Sequence, residues 1–176
     1  ELTRVPVQAA PTTAATRVAP TLILPTAVIP AEMPAQPAAD ALPTYAFTAT
    51  YAYTQHTLTV SEVITYTSQA SRSLDELLLV VEANRYPGSL TVQSITAGGQ
   101  ALSEFALESN RLTLPLLQSL DPGAALTLAL EYTLVLPEIP EPSDTARPQP
   151  YGFTLRQANL VDWYPYLPPY DDEKGW

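Results

Sequence analysis

Few side chains in this sequence could carry out catalysis or bind a metal. His56 is the single histidine, and cysteine is absent from all 176 residues. A site built from several histidines is therefore excluded, and so are thiolate ligands, thiol nucleophiles and disulfides. His56 precedes Thr57 and falls in a predicted hairpin turn, so we interpret it as a solvated turn residue. The sequence predicts no catalytic residue, no metal site and no cofactor within this chain.

Adjacent carboxylates are the other candidates for acid–base or metal chemistry. They occur at Asp75-Glu76 and at Asp171-Asp172-Glu173. Acid–base catalysis needs two carboxyl groups that converge on one point, whereas neighbours on an extended chain point to opposite faces. The second run also lacks the alternating oxygen ligands and the glycine turn of a calcium loop. We interpret both runs as solvated acids.

The charge balance excludes several classes of partner. Eighteen acidic residues against eight basic ones give a net charge of -10. Such a chain cannot assemble a basic face for phosphates, so nucleic acid is not an expected partner. No apolar run approaches the roughly 20 residues that span a bilayer, so no transmembrane segment is expected.

Composition changes sharply near residue 43. Residues 1–43 contain eight of the 19 prolines, and this spacing predicts an extended, polyproline-like arm or linker. One interpretation is a spacer that leads to the folded part of the chain. The other is an arm that docks on a sheet edge or groove of a neighbouring subunit or partner, because a spacer gains nothing from exposed apolar residues. The candidate docking residues are Leu22, Ile23, Leu24, Val28 and Ile29.

Residues 44–136 have the period-two alternation of β-strands. The first two alternating segments form a predicted hairpin that turns at Gln55-His56. The predicted strands are 45–53, 58–66, 74–83, 89–97, 102–107, 111–117 and 124–136. Turn signals separate them, among them Gly98-Gly99 and Asp121-Pro122-Gly123. The expected fold is all-β: an antiparallel β-sandwich preceded by the extended Pro-rich arm.

Residues 137–176 form a Pro- and aromatic-rich C-terminal segment that is expected to pack on the sandwich. An acidic, proline-rich connection leads to a predicted strand at 151–155, and both tryptophans of the chain follow it. Two interpretations of Trp163, Tyr164 and Tyr166 stay open. These rings either plug one end of the sandwich or form the wall of a ligand or partner site.

A family resemblance rests on the order of these features. The hairpin, Leu74-Asp75-Glu76-Leu77, the last long strand and the block Trp163-Tyr164-Pro165-x-Leu167-x-x-Tyr170-Asp171 follow one another. In this order, residues 44–176 resemble the N-terminal β domain of the M1 (aminopeptidase N-like) zinc metallopeptidases, especially divergent bacterial members. The resemblance implies a saddle-like sandwich that packs against a separate catalytic domain.

The resemblance also has implications for individual residues. The family's Gly-x-Met-x-Asn and His-Glu-x-x-His motifs, which belong to the catalytic domain, are absent from this chain. Gln157 stands near the position of a family glutamine that helps to hold the amino terminus of the substrate. Asp162 stands near the position of the family's arginine and Tyr166 takes the place of its cysteine, so this part of the pattern departs from the family.

Three functions are weighed on this basis. The first is a non-catalytic extracytoplasmic module, secreted or at the cell surface, that serves as a structural or assembly subunit through its arm. The alternative is an N-terminal fragment of an M1-like zinc metallopeptidase whose zinc-binding catalytic domain lies beyond Trp176. A third is a carbohydrate- or peptide-binding module that uses Trp163, Tyr164 and Tyr166. The location follows from the Pro/Thr/Ala-rich arm and from the acidic, lysine-poor composition.

Overall fold

A computed structural model describes residues 42–140 and 149–176 of the chain. All of these residues belong to one compact unit. The predicted docking residues of the arm, between Leu22 and Ile29, lie outside the described residues. So does the middle of the acidic connection, residues 141–148.

The described residues form ten β-strands and two short 3-10 turns. The turns are Tyr53–Gln55 and Glu82–Arg85. The strands are β1 Thr44–Ala52, β2 Thr57–Thr67, β3 Leu74–Val80, β4 Leu90–Ala97, β5 Gln100–Ala101, β6 Ala106–Glu108, β7 Arg111–Leu120, β8 Ala125–Val135, β9 Gly152–Phe153 and β10 Ala158–Asn159. Within this part of the chain no helix has the length and hydrophobicity to cross a membrane.

Two antiparallel sheets form the sandwich. The larger has the order β1-β2-β8-β4-β5, and the smaller has the order β3-β7-β6. The hairpin of β1 and β2 is continuous from the Thr44–Thr65 pair to the Ala52–Thr57 pair. Strands β9 and β10 form a separate small hairpin. The prediction of an all-β antiparallel sandwich is confirmed.

The core lies between the two sheets, as the alternation predicts. On β8, Leu128, Leu130, Tyr132 and Leu134 are buried, and the residues between them are exposed or half-buried. Buried leucines of β3 and β7 belong to the same cluster: Leu77, Leu79, Leu112 and Leu114. Full burial of one such side chain stabilises the fold by roughly 1.5–3 kcal/mol, so these two faces supply much of the driving force for folding.

Three predicted strands are too long, and in two of them the excess lies where the chain changes sheets. The segment 74–83 is a strand only as far as Val80, and the chain then crosses to β4 in the other sheet. Residues 102–105 carry the chain from β5 to β6, so the strand predicted at 102–107 begins only at Ala106. The segment 151–155 keeps two strand residues, with Gly152 at φ 136°. A crossing between sheets interrupts a ladder even where the residues have high β-propensity.

Candidate interaction sites

A C-terminal strap, defined here as residues 163–176, runs along the outer edge of β3. The N–H of Val80 donates to the Tyr166 carbonyl at 2.7 Å, and the N–H of Tyr166 donates to the Val80 carbonyl at 3.0 Å. Further along, the Nε of Arg72, just before β3, donates to the Tyr170 hydroxyl at 3.0 Å. The strap is therefore antiparallel to β3 and covers one edge of the smaller sheet.

The rings at the start of the strap pack against β1. Trp163 lies 5.4 Å from Phe47 between ring centroids, and Tyr164 lies 5.0 Å from Phe47 and 5.6 Å from Tyr45. Tyr164 also meets Tyr166, at 6.3 Å. The structure thus brings the three predicted aromatic residues together and adds two rings from β1. Phe47 keeps 39% of its surface exposed, and contact of this cluster with a ligand or partner stays a prediction.

Buried residues of the strap hold the cluster in place. Pro165 and Leu167 are buried, and the N–H of Leu167 donates to the Tyr45 hydroxyl at 3.1 Å. Burial raises the pKa of Tyr45, an effect that this hydrogen bond partly offsets. The residues of the Trp-Tyr-Pro block therefore have a structural role as the anchor of the strap.

Gln157 lies in the β9–β10 hairpin and is exposed. Its N–H donates to the Thr154 hydroxyl at 3.2 Å, and its side-chain Nε2 donates to Asn159 Oδ1 at 3.0 Å. Within the described ranges no hydrogen bond joins Gln157 to the aromatic cluster. Its role in holding a substrate's amino terminus stays a prediction.

His56 occupies the predicted turn but is half-buried, so its interpretation as a solvated residue is wrong. Its ring stacks on Phe153 with centroids 3.5 Å apart and an angle of 6° between the planes. The Tyr51 hydroxyl lies 3.3 Å from His56 Nδ1. Phe153 belongs to β9, so the His56 ring fastens the C-terminal hairpin to the sandwich.

Both acidic runs are exposed, as predicted. Asp171 Oδ1 accepts the N–H groups of Glu173 and Lys174, each at 2.9 Å, and so closes the turn at the end of the strap. The backbone N–H of Ser71 lowers the pKa of Asp172. In the part of the chain that the structure describes, no group of three or more His, Cys, Asp or Glu residues is placed to hold a metal ion.

A wide, open groove lies where the strap, β3 and β7 meet. It has a volume of about 830 Å³. Its lining combines both signs of charge with two aromatic rings: Arg72, Glu76, Arg111, Lys174, Tyr170 and Trp176. The two rings are in contact, with centroids 5.0 Å apart. No motif or spacing in the sequence links residues so far apart along the chain, so this groove could not be predicted from it.

The buried environment of Glu62 is a second feature that was not predicted from the sequence. Its side chain is fully buried on the inner face of β2, beside Phe47 and Leu130 on the flanking strands. Burial raises its pKa to about 8, and the Tyr132 hydroxyl offsets part of this effect. Among the described residues, neither carboxyl oxygen has a hydrogen-bond partner of standard geometry. The signal was its position in the alternation, between Val60 and Ile64.

Comparisons with known proteins give matches to solved structures. No family model matches the sequence, and no curated protein is significantly similar to it. The crystal structure of an M1 zinc metallopeptidase from Deinococcus radiodurans matches with 17% identity and a TM-score of 0.39, over 47% of this chain and 17% of that chain. A two-domain M1 zinc metallopeptidase bound to L-tryptophan matches with 16% identity and a TM-score of 0.46, over 62% of this chain and 24% of that chain. The matched region is therefore less than a quarter of the length of these metallopeptidases.

Proposed function

We propose that this chain is a non-catalytic β-sandwich module that acts through contacts with other proteins. The observation that carries the proposal is the open groove between the strap and the smaller sheet. It gathers Arg72, Arg111 and Lys174, three of the eight basic residues of an acidic chain, beside Tyr170 and Trp176. Arg, Tyr and Trp are enriched at protein interfaces. A wide groove with both signs of charge fits a folded protein surface better than a small ligand, which a pocket would enclose.

In the same proposal, the arm of residues 1–43 makes this chain part of a larger protein assembly. It would dock on a neighbouring subunit or partner through its apolar residues between Leu22 and Ile29, and so make the chain a structural subunit. Its Pro/Thr/Ala-rich composition and the low lysine content support a location outside the cytoplasm, on a cell surface or in the secreted fraction.

The oligomeric state of the full chain tests this proposal. Light scattering after size-exclusion chromatography is expected to show a concentration-dependent assembly. Deletion of residues 1–41 should abolish the assembly and leave the far-ultraviolet spectrum of the sandwich unchanged. A folded deletion variant that assembles like the full chain would contradict the role of the arm, and so would a full chain that stays monomeric.

A second candidate function is the N-terminal β domain of an M1-like zinc metallopeptidase. It is favoured by one observation: the block Trp163–Asp171, which carries the family resemblance, forms part of the strap beside the groove. The strap would then shape the surface that faces the catalytic domain. In this proposal zinc belongs to the catalytic domain, and this module contributes a wall on the substrate side.

Measurements on the protein from its native source distinguish the two candidate functions. If the second holds, its intact mass is clearly above 19.0 kDa after removal of any sugars. It should also hydrolyse aminoacyl anilides, and a zinc chelator should abolish that activity. A native mass that matches this chain would rule out a covalently linked catalytic domain and leave the assembly subunit.

A further inference from the structure

Strand β1 forms one edge of the larger sheet. It pairs with β2 along all nine of its residues, and the described residues place no strand on its other side. The remaining backbone hydrogen bonds of the described part of the chain include none from β1. Every second N–H and C=O group of β1 therefore points outward without a strand partner, which is the template that an added strand needs.

The sequence of β1 lacks the usual protection of an edge strand. Native edges are commonly blunted by charged side chains, proline, bulges or short length. Residues 44–52 contain no charged residue, no proline and no glycine, and the register with β2 is free of bulges. Six of the nine residues are exposed.

The other edges of the sandwich differ from β1 in this respect. The strap covers β3, as the Val80–Tyr166 pair shows. The edge strands β5 and β6 have two and three residues. Beyond these short strands, residues 90–94 of β4 and 114–120 of β7 also have no strand partner on that side. A bulge at Val92–Ser94 interrupts the first stretch, and Pro115 lies in the second. Within residues 42–140 and 149–176, β1 is thus the one long open edge that has neither a bulge nor a proline.

We propose that the edge of β1 binds residues 21–29 from the arm of a second copy of this chain as an added strand. This inference rests on the proposed role of the arm in assembly and names the surface that accepts it. Residues 21–29 are uncharged, and their Ile, Val and Thr residues are of the types enriched in strands. They number nine, the same as β1, and both segments would span about 30 Å.

The prolines of the arm fit this arrangement. Pro25 lies in the middle of the segment, and an edge strand tolerates proline when the missing N–H faces outward. The added strand would then resist a further strand at its own outer edge. The contact between arm and β1 is head-to-tail, so it gives pairs or rings where the geometry closes and a filament where it does not. Residues 30–43 contain Pro30, Pro34, Pro37 and Pro43. Such a stiff connection opposes the reversal by which a chain would pair with its own β1.

Disulfide trapping tests the contact directly, because the chain has no cysteine to interfere. One copy carries Ile23→Cys, and the other carries Ala46→Cys, Thr48→Cys or Thr50→Cys. After the copies are mixed and oxidised, we expect a disulfide-linked pair from at least one β1 position. The matched control is Thr59→Cys, which lies beside Thr50 on β2 and is exposed but not at the edge. Its yield should be lower by about tenfold or more, since strand neighbours alone meet disulfide geometry.

A charged edge provides the second test. The variant Thr48→Lys/Thr50→Lys should raise the dissociation constant of the assembly by about tenfold or more, because inserted lysines block strand addition. Thr59→Lys, on the neighbouring strand, should leave the dissociation constant unchanged. Equal assembly of both variants and the wild type would overturn the inference, as would a disulfide yield from the β1 positions that is no higher than the yield from Thr59→Cys.

The outcomes separate this inference from the function on which it rests. Suppose that deletion of residues 1–41 abolishes assembly, whereas the charged β1 edge does not. The arm then docks elsewhere, and only the choice of β1 is wrong. If the deletion leaves assembly intact, the proposed role of the arm and the choice of β1 both fail.

Discussion

At the scale of single residues, the most consequential side chain is the buried carboxyl group of Glu62. It lies on the inner face of β2 and has no hydrogen-bond partner of standard geometry among the described residues. Burial favours the neutral form and the Tyr132 hydroxyl offsets only part of this effect, which is why the pKa of Glu62 rises to about 8. Tyr132 and Tyr151 are buried as well, and burial raises the pKa of each hydroxyl. The centre of this sandwich therefore contains polar groups that destabilise it once they are charged.

The first prediction concerns the pH dependence of stability. The pKa of Glu62 is about 8 in the folded state and 4.5 in the reference state, so between these values the unfolded chain releases a proton that the folded chain retains. The free energy of unfolding should therefore fall as pH rises through this window, by up to about 1.4 kcal/mol per pH unit. Glu62→Gln should flatten this dependence. It should resemble the wild type near the low end of the window and exceed it by a few kcal/mol near the high end.

Urea unfolding at a series of pH values measures this effect. Glu76→Gln, at an exposed position of β3, is the control and should keep the wild-type slope. The prediction is wrong if Glu62→Gln has the same pH dependence as that control.

The second prediction concerns Gly152, which has φ 136°. A Cβ at this position would lie 2.9 Å from Ile139 Cγ1 and closer still to the Pro137 carbonyl oxygen. Gly152→Ala should therefore lower the free energy of unfolding by more than about 2 kcal/mol. At Gly99, with φ 79°, a Cβ would meet no atom within 4 Å, so Gly99→Ala should cost about 1 kcal/mol from backbone strain alone. Equal losses in a thermal melt of the two variants would show that the clash at residue 152 is relieved.

At the scale of elements, the edges formed by β3 and β1 differ in whether another segment of the chain lies along them. The strap is a proline-rich segment that lies along β3. Pro165, Pro168 and Pro169 have no backbone N–H, so they cannot donate the hydrogen bonds that a further strand would need. It is fastened at the Val80–Tyr166 pair and again at Arg72–Tyr170. β1 has no such cover among the described residues. The C-terminal segment therefore acts as a cap for one sheet, and the other sheet retains an edge that can pair.

The third prediction tests the anchor of the strap. Leu167 has 7% of its surface exposed, and Leu155 has 94%. Leu167→Ala should lower the free energy of unfolding by about 2–5 kcal/mol, because it removes buried contacts and leaves a cavity. The control Leu155→Ala should stay within about 0.5 kcal/mol of the wild type. Urea titration followed by tryptophan fluorescence is suited to the measurement, because both tryptophans lie in the strap. A loss for Leu167→Ala as small as that of the control would show that the strap is not anchored through this residue.

At the scale of the whole molecule, the net charge and the charges of the two candidate surfaces determine how salt affects contact between copies. The net charge of -10 makes two copies repel each other at low ionic strength. The edge of β1 and residues 21–29 are uncharged, whereas the groove beside the strap contains both signs of charge. The salt dependence of assembly therefore reports which surface is used.

The fourth prediction follows from this difference. If copies assemble through β1, added sodium chloride screens their repulsion, so the assembly should tighten between about 20 mM and 500 mM salt. Sedimentation at several salt concentrations would measure the change. Assembly that weakens with salt would contradict an uncharged contact and point to ion pairs in the groove. Arg111→Glu would then alter the assembly, although it lies outside β1.

Several parts of the fold follow from local sequence. The alternation in the first hairpin places strands at 45–53 and 58–66, and the structure has them at Thr44–Ala52 and Thr57–Thr67. The turn at Asp121-Pro122-Gly123 lies between β7 and β8, as expected. These features succeed because side-chain period and turn chemistry are properties of neighbouring residues. The same alternation separates the two faces of β8, and it contains the signal for the buried position of Glu62, which was not predicted.

The sequence by itself determined the all-β class, the inner faces of the long strands and the absence of histidine and cysteine clusters. Only the tertiary structure decided that Trp163 and Tyr164 pack on β1, that the strap covers β3, and that residues 72, 111 and 174 share a groove. It also decided that β1 lies at an edge, where six of its nine residues are exposed. The physical reason is that a period of two assigns a residue to a face of a strand but carries no information about which strands are neighbours. Strand order depends on the packing of distant segments against one another, which no local pattern encodes.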